Sequence, residues 1–260
     1  MLFLFSPSKT MDFQSPLTIE PHTLPVFSKE ANQLIKICQR LTIEDIQTLM
    51  GVSRKIAELN FQRFQDWDCS DSPHKARQAI AAFAGEAYES LDTGNLSTID
   101  MDYAQKHLRI LSGLYGILRP MDLIQPHRLD MGTRLPNGNT MNLYQFWKTT
   151  LTEYLQQELS HSSVPIIVNL ASQEYSKAVD IKKLNAKIIE PIFLDQKNGK
   201  SKVISFYAKR ARGLMCRYAI RHQISQSAAL QNFNLEGYCF DDNRSDDSHW
   251  YYVRHTENQL

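Results

Sequence analysis

Val164-Pro165-Ile166-Ile167-Val168-Asn169-Leu170-Ala171-Ser172-Gln173-Glu174-Tyr175 passes from an unbroken apolar run directly into a polar one. A short apolar run rich in β-branched residues, without alternation, reads as a strand buried on both faces, with the polar stretch as the loop that leaves it. The amino terminus repeats the pattern, Met1-Leu2-Phe3-Leu4-Phe5 breaking at Ser6-Pro7-Ser8-Lys9-Thr10. Segments 186–194 and 202–206 give two further strands. Helical spacing lies between them: 29–40 (Ala31, Leu34, Ile35, Cys38), 75–91 (Ala76, Ala79, Ile80, Phe83, Ala87, with Ser72-Pro73 as its start), 142–160 (Leu143, Phe146, Trp147, Leu151, Tyr154, Leu155) and 207–222 (Tyr207, Ala211, Leu214, Met215, Tyr218, Ala219). The interleaving predicts a mixed α/β (α+β) fold, a mixed sheet wrapped by helices. No low-complexity linker or repeat divides the chain, so residues 1–260 read as a single domain. Asp241 to Ser248 reads as an exposed acidic loop between two final short strands.

The chain has 260 residues, 29 Lys and Arg against 28 Asp and Glu, 42% hydrophobic and 22% charged residues. These values exclude collagen-like, disulfide-scaffold and disordered classes. Cys38, Cys69, Cys216 and Cys239 have neither C-x-x-C nor zinc-ligand spacing and read as reduced, mostly buried thiols. Five apolar residues at the amino terminus are too few for a signal peptide, and no run approaches the ~20 residues of a membrane span. The expectation is a cytoplasmic monomer with no membrane partner. Charge is unevenly placed. Between Lys177 and Arg221 there are twelve basic residues and three acidic ones, so twelve minus three gives +9, and the remainder carries −8. Such a block is either a solvated basic face or a surface that attracts polyanions. The cluster Lys209, Arg210 and Arg212, with Lys200 and Lys202 before it, lies at a strand–helix junction, which favours an anion.

Leu41 to Met50 opens with Thr42 as a cap and Glu44-Asp45 in the first turn. Gly51-Val52-Ser53 interrupts, and Arg54-Lys55-Ile56-Ala57-Glu58-Leu59-Asn60 resumes a helix. The order resembles the helix–hairpin–helix of DNA-repair proteins, here placed within 41–64, in which hairpin amides hold one DNA phosphate. Gly51, Ser53, Arg54 and Lys55 are its candidate contacts, with Ser53 where the motif usually has a second glycine; an ordinary αα-corner is the other reading. Ser6, Lys9 and Thr10 after one strand, and Asn169, Ser172 and Tyr175 after another, are ligand candidates because α/β sheets bind ligands at the carboxyl ends of strands. Leu111 to Gly132 is dense in Gly, Pro and charge. Arg119, Asp122, Arg128 and Asp130 read as internal ion pairs, with Arg119 and Arg128 as cleft lining in the alternative. The eight histidines show no H-x-x-x-H spacing, so neither metal nor cofactor is expected. No nucleophile–base–orienter set stands out, and the residues name no reaction.

Ser6 to Thr10, the 111–132 segment, Asn169 to Tyr175, Phe193 to Lys200 and Ile204 to Gly213 together resemble the YaaA family of bacterial peroxide-stress proteins, across essentially the whole chain. Ser8 stands at the family's usual alanine and His127 at its usual tyrosine. The resemblance implies a cytosolic protein that helps limit iron-dependent oxidative damage, a fold peculiar to the family with a basic cleft and a helix–hairpin–helix, and binding of double-stranded DNA without base readout. The alternative is an enzyme acting on a small anionic or nucleotide-like ligand in the same cleft, built by Lys9, Asn169, Ser172, Lys209 and Arg212.

Overall fold

Apolar runs form the centre of the sheet, as their lack of alternation requires. The computed structural model describes residues 1–15, 21–70, 75–138 and 140–255. Its strands are β1 (Leu2–Phe5), β2 (Thr10–Met11), β3 (Arg77–Gln78), β4 (Phe83–Ala84), β5 (Leu108–Ser112), β6 (Gly116–Leu118), β7 (Leu123–Ile124), β8 (Ile166–Asn169), β9 (Lys187–Lys197), β10 (Lys200–Lys202), β11 (Tyr238–Phe240) and β12 (His249–His255). Its α-helices are α1 (Ser28–Cys38), α2 (Ile43–Met50), α3 (Arg54–Gln65), α4 (Ala79–Ala82), α5 (Glu86–Leu91), α6 (Thr98–His107), α7 (Leu143–Ser160), α8 (Gln173–Ser176) and α9 (Ser205–Arg221).

The main sheet has eight strands in the order β11-β12-β9-β8-β1-β5-β6, with β10 on β9. The run β12-β9-β8-β1-β5 is parallel throughout, and β11, β6 and β10 add antiparallel edges. Every residue of β1, β5 and β8 is buried, the condition of a parallel sheet covered on both faces. Helices α7 and α9 pack on β6 and β9. The result is one mixed α/β domain. None of the helices among the described residues is long and apolar enough to cross a membrane.

Three expectations fail. The 75–91 stretch is not one helix. Arg77–Gln78 pairs with β7 and Phe83–Ala84 with β2, one turn of α4 lies between, and Gly85 at φ +109 starts α5. A backbone angle open mainly to glycine breaks the helical path there, and the strand pairs on either side of α4 are made by Arg77, Gln78, Phe83 and Ala84. The start expected at Ser72-Pro73 lies outside the described residues. The strand expected over 202–206 ends at Lys202, because Ser205 already begins α9. The four cysteines are free thiols, but only Cys38 and Cys216 are buried; Cys69 and Cys239 are exposed.

Candidate functional site

Strands β1 and β8 are parallel neighbours, Leu2 opposite Ile167 and Leu4 opposite Asn169. From β1 the sheet goes on to β5 on one side, and from β8 to β9 on the other. Opposite departures leave a crevice at the carboxyl ends of the two strands. The loops that leave those ends are stitched together: Ser6 Oγ accepts the Ser172 amide at 2.8 Å, and the Tyr88 hydroxyl donates to the Ser6 carbonyl at 2.9 Å. Burial pushes the Tyr88 hydroxyl well above its ordinary range, so it remains a donor.

The facing wall is made by α5 and α9. The Ser90 hydroxyl donates to the Arg210 carbonyl at 2.8 Å. At Gly213 a Cβ would stand 2.0 Å from the Ala87 carbonyl oxygen, so the close approach of the two helices depends on a residue without one. Between the walls lies a cleft of about 770 Å³. It takes Ser6, Ser8, Lys9 and Thr10 from the first loop and Ser172, Glu174 and Tyr175 from the second, with Glu86, Tyr88, Glu89, Lys209 and Arg212 opposite. The two polar loops and the Lys209–Arg212 pair, far apart in sequence, therefore converge.

The charges of the lining are specific. Lys9 Nζ is 3.2 Å from Asp130, which also meets Arg128 at 3.4 Å. Arg128 lines a small adjoining recess with His127, and its buried Nε has no hydrogen-bond partner among the described residues. Arg212 is half-buried, and burial alone lowers its pKa, no carboxylate among the described residues pairing with it. The other arginines of α9 all have one: Arg210 pairs with Glu236, Arg217 with Asp92 at 3.4 Å and Arg221 with Asp100 at 2.9 Å. Three carboxylates, Glu86, Glu89 and Glu174, line the same cleft as the cations Lys9, Lys209 and Arg212. Lys197, Lys200 and Lys202 are exposed on the β9–β10 hairpin that leads into α9.

The remaining candidates are placed as follows. Arg119 lies outside the cleft lining: its guanidinium meets the fully buried Asp122 at 3.0 Å and the Leu24 carbonyl. Asn169 is buried and holds its loop, accepting the Ala171 amide and donating to Glu190. In the hairpin, Gly51 closes α2 at φ +59, and Thr42 with Asp45 forms a full capping box at the other end. Ser53 starts α3 without capping it, Arg54 is held by Glu44 and Glu58, and Lys55 is exposed. Gly85, Glu86 and Glu89 escape a reading of 75–91 as one continuous helix; the glycine within Phe83-Ala84-Gly85-Glu86 is the signal that marks them. Among the described residues no group of three His, Cys, Asp or Glu is gathered as a metal would need.

The chain is similar to known proteins over nearly its full length. Residues 1–244 match the family model described as peroxide stress protein YaaA. The UPF0246 protein Bpet1601 of Bordetella petrii is 51% identical over 241 residues, covering 93% of this chain and 94% of that protein.

Proposed function

The chain belongs to the YaaA family of peroxide stress proteins, and from that membership we propose that it binds double-stranded DNA without base readout and so helps limit iron-dependent oxidative damage. The observation that supports this reading is the α2–α3 turn. Ser53 gives α3 no side-chain cap; its carbonyl takes the Ile56 and Ala57 amides, those of Arg54 and Lys55 come first in the helix, and the Lys55 side chain is exposed. Unmatched amides at a helix N-terminus with an adjacent cation are what one backbone phosphate requires. Lys197, Lys200 and Lys202 on the β9–β10 hairpin and Lys209 on α9 add exposed positive charge, with no carboxylate paired to them among the described residues. Contacts of this type hold phosphates and carry no sequence information.

The test is a salt titration of duplex affinity. Wild type gives a linear fall of log affinity with log salt, at a slope of about −0.9 per phosphate neutralised. Lys55→Glu lowers affinity for unrelated sequences by similar factors. A flat salt dependence, or a Lys55→Glu protein that binds as wild type does, overturns the assignment of the hairpin.

A further inference from the structure

We propose that the cleft between the β1 and β8 loops and the α5–α9 wall binds a nucleoside monophosphate unit, its phosphate held by Arg212 and Lys209. Its place in the fold favours a ligand. The crevice opens at the carboxyl ends of two adjacent parallel strands whose neighbours lie on opposite sides, the position where open α/β sheets bind ligands. Its volume, about 770 Å³, falls in the range of small-molecule sites.

Arg212 specifies the charge of that ligand. Arg212 lines the cleft half-buried and without a counter-charge among the described residues, and a guanidinium partly withdrawn from water is ordinarily paired. Its three fellow arginines on α9 are each paired, so the helix does not lack acids to offer. A bound anion supplies the missing partner. The surroundings favour a phosphate over a lone carboxylate. Lys209 lies one turn before Arg212 on the same face, and the Ser172 hydroxyl comes from a facing loop, beside a Lys9 that Asp130 already holds. That is more donors than two carboxylate oxygens need, and it suits the several acceptor oxygens of a phosphomonoester.

Glu86 and Glu89 bear on the rest of the ligand, since they share the lining. They oppose a polyanion running along the floor, and they offer acceptors to the amino and imino groups of a base. A molecule anionic at one end and donor-bearing at the other fits both.

The nucleotide site shares only Lys209 with the DNA reading, and one experiment separates the two. The full chain is titrated calorimetrically with AMP, GMP, CMP and UMP and with the four nucleosides. At least one monophosphate binds with a Kd below about 1 mM, its nucleoside binds at least tenfold more weakly, and Arg212→Gln loses at least tenfold while melting no lower than wild type. Lys209→Gln, at an exposed position, loses less. A 5′-phosphorylated oligonucleotide compared with its 5′-hydroxyl twin tells whether the unit is a free nucleotide or a strand end; preference for the phosphorylated strand, abolished in Arg212→Gln, supports the site with the strand end as its source. Absence of binding by all four monophosphates and by the phosphorylated strand overturns it, as does an Arg212→Gln protein that binds like wild type. Covalently closed circular duplex, which has no terminal phosphate, reports on the DNA reading alone.

Discussion

Arg212 is half-buried, burial lowers its pKa, and no carboxylate among the described residues pairs with it. Removing an uncompensated charge from such a position, while keeping side-chain length, should therefore help the ligand-free protein. Arg212→Met is expected to gain about 1 kcal/mol, a rise in Tm of roughly 2–4 °C for a chain of this size. A fall on calorimetric melting would mean that the guanidinium is already satisfied. His127 makes its contribution through pH. It is buried, donates its Nδ1–H to the Gln125 carbonyl at 2.8 Å, and has the Tyr115 and Phe83 rings edge-on to it. Burial chiefly lowers its pKa to about 4. The unfolded chain takes up this proton as pH falls through about 6.5, while the folded one resists until about 4. The stability His127 contributes is thus fully present above about 6.5 and declines as pH falls to about 4, by roughly 3 kcal/mol. Denaturant unfolding of His127→Phe between pH 7 and 4 should show a shallower decline than wild type by about that amount; equal slopes would refute the assignment.

Among the elements, those with a full helical period were legible in the sequence, and those whose form depends on partners were not. The spacing of Ala31, Leu34, Ile35 and Cys38 places all four in the core, where the structure has them on the buried face of α1. The apolar runs at 1–5 and 164–170 supply β1 and β8, whose residues are all buried as a doubly covered sheet requires, while Val164 at the start of the second run is exposed. The 75–91 stretch is different. Ala79, Ile80 and Ala82 fit either period, and the pairing of their neighbours with β2 and β7 decides the matter, which is information held in residues 10–11 and 123–124. The site was legible to the same extent: the strand-end loops announce themselves, whereas the α5 wall is hidden inside a stretch whose spacing suits one long helix. The α5–α9 packing carries its own prediction. A Cβ at Gly213 meets the Ala87 carbonyl oxygen and the Ser90 hydroxyl, at 2.0 and 2.1 Å, and backbone cannot yield as a flexible side chain does. Gly213→Ala should cost about 3 kcal/mol or more despite the better helix propensity of alanine, by analogy with overpacked cores. Chemical denaturation checks it, and a cost below about 1 kcal/mol would mean that the helices separate easily.

At the scale of the whole molecule, the +9 block between Lys177 and Arg221 is less free than its sum. Arg210, Arg217 and Arg221 take Glu236, Asp92 and Asp100 as partners, all three from outside the block. Folding thus commits part of the acidic remainder to the basic helix; around α9 the exposed charge left over is carried by lysines, Lys197, Lys200 and Lys202 on the hairpin and Lys209 at the start of α9, while the unpaired Arg212 is half-buried in the cleft. Only charge of that kind can trade its counterions for phosphates, because a guanidinium already bound to a carboxylate must first give up that partner. Two variants close by in sequence separate the cases. Lys200/Lys202→Glu should lower duplex affinity for every sequence tried and reduce the magnitude of the salt slope by about 2, roughly one for each phosphate the protein no longer neutralises. Arg210→Gln removes positive charge from the same block, yet should leave that slope nearly unchanged and cost at most about 1 kcal/mol of stability through its partly exposed pair with Glu236. If Arg210→Gln flattens the slope as much per charge as the lysine variants do, net charge and not pairing governs the attraction of DNA, and the division between paired arginines and free lysines has no functional meaning.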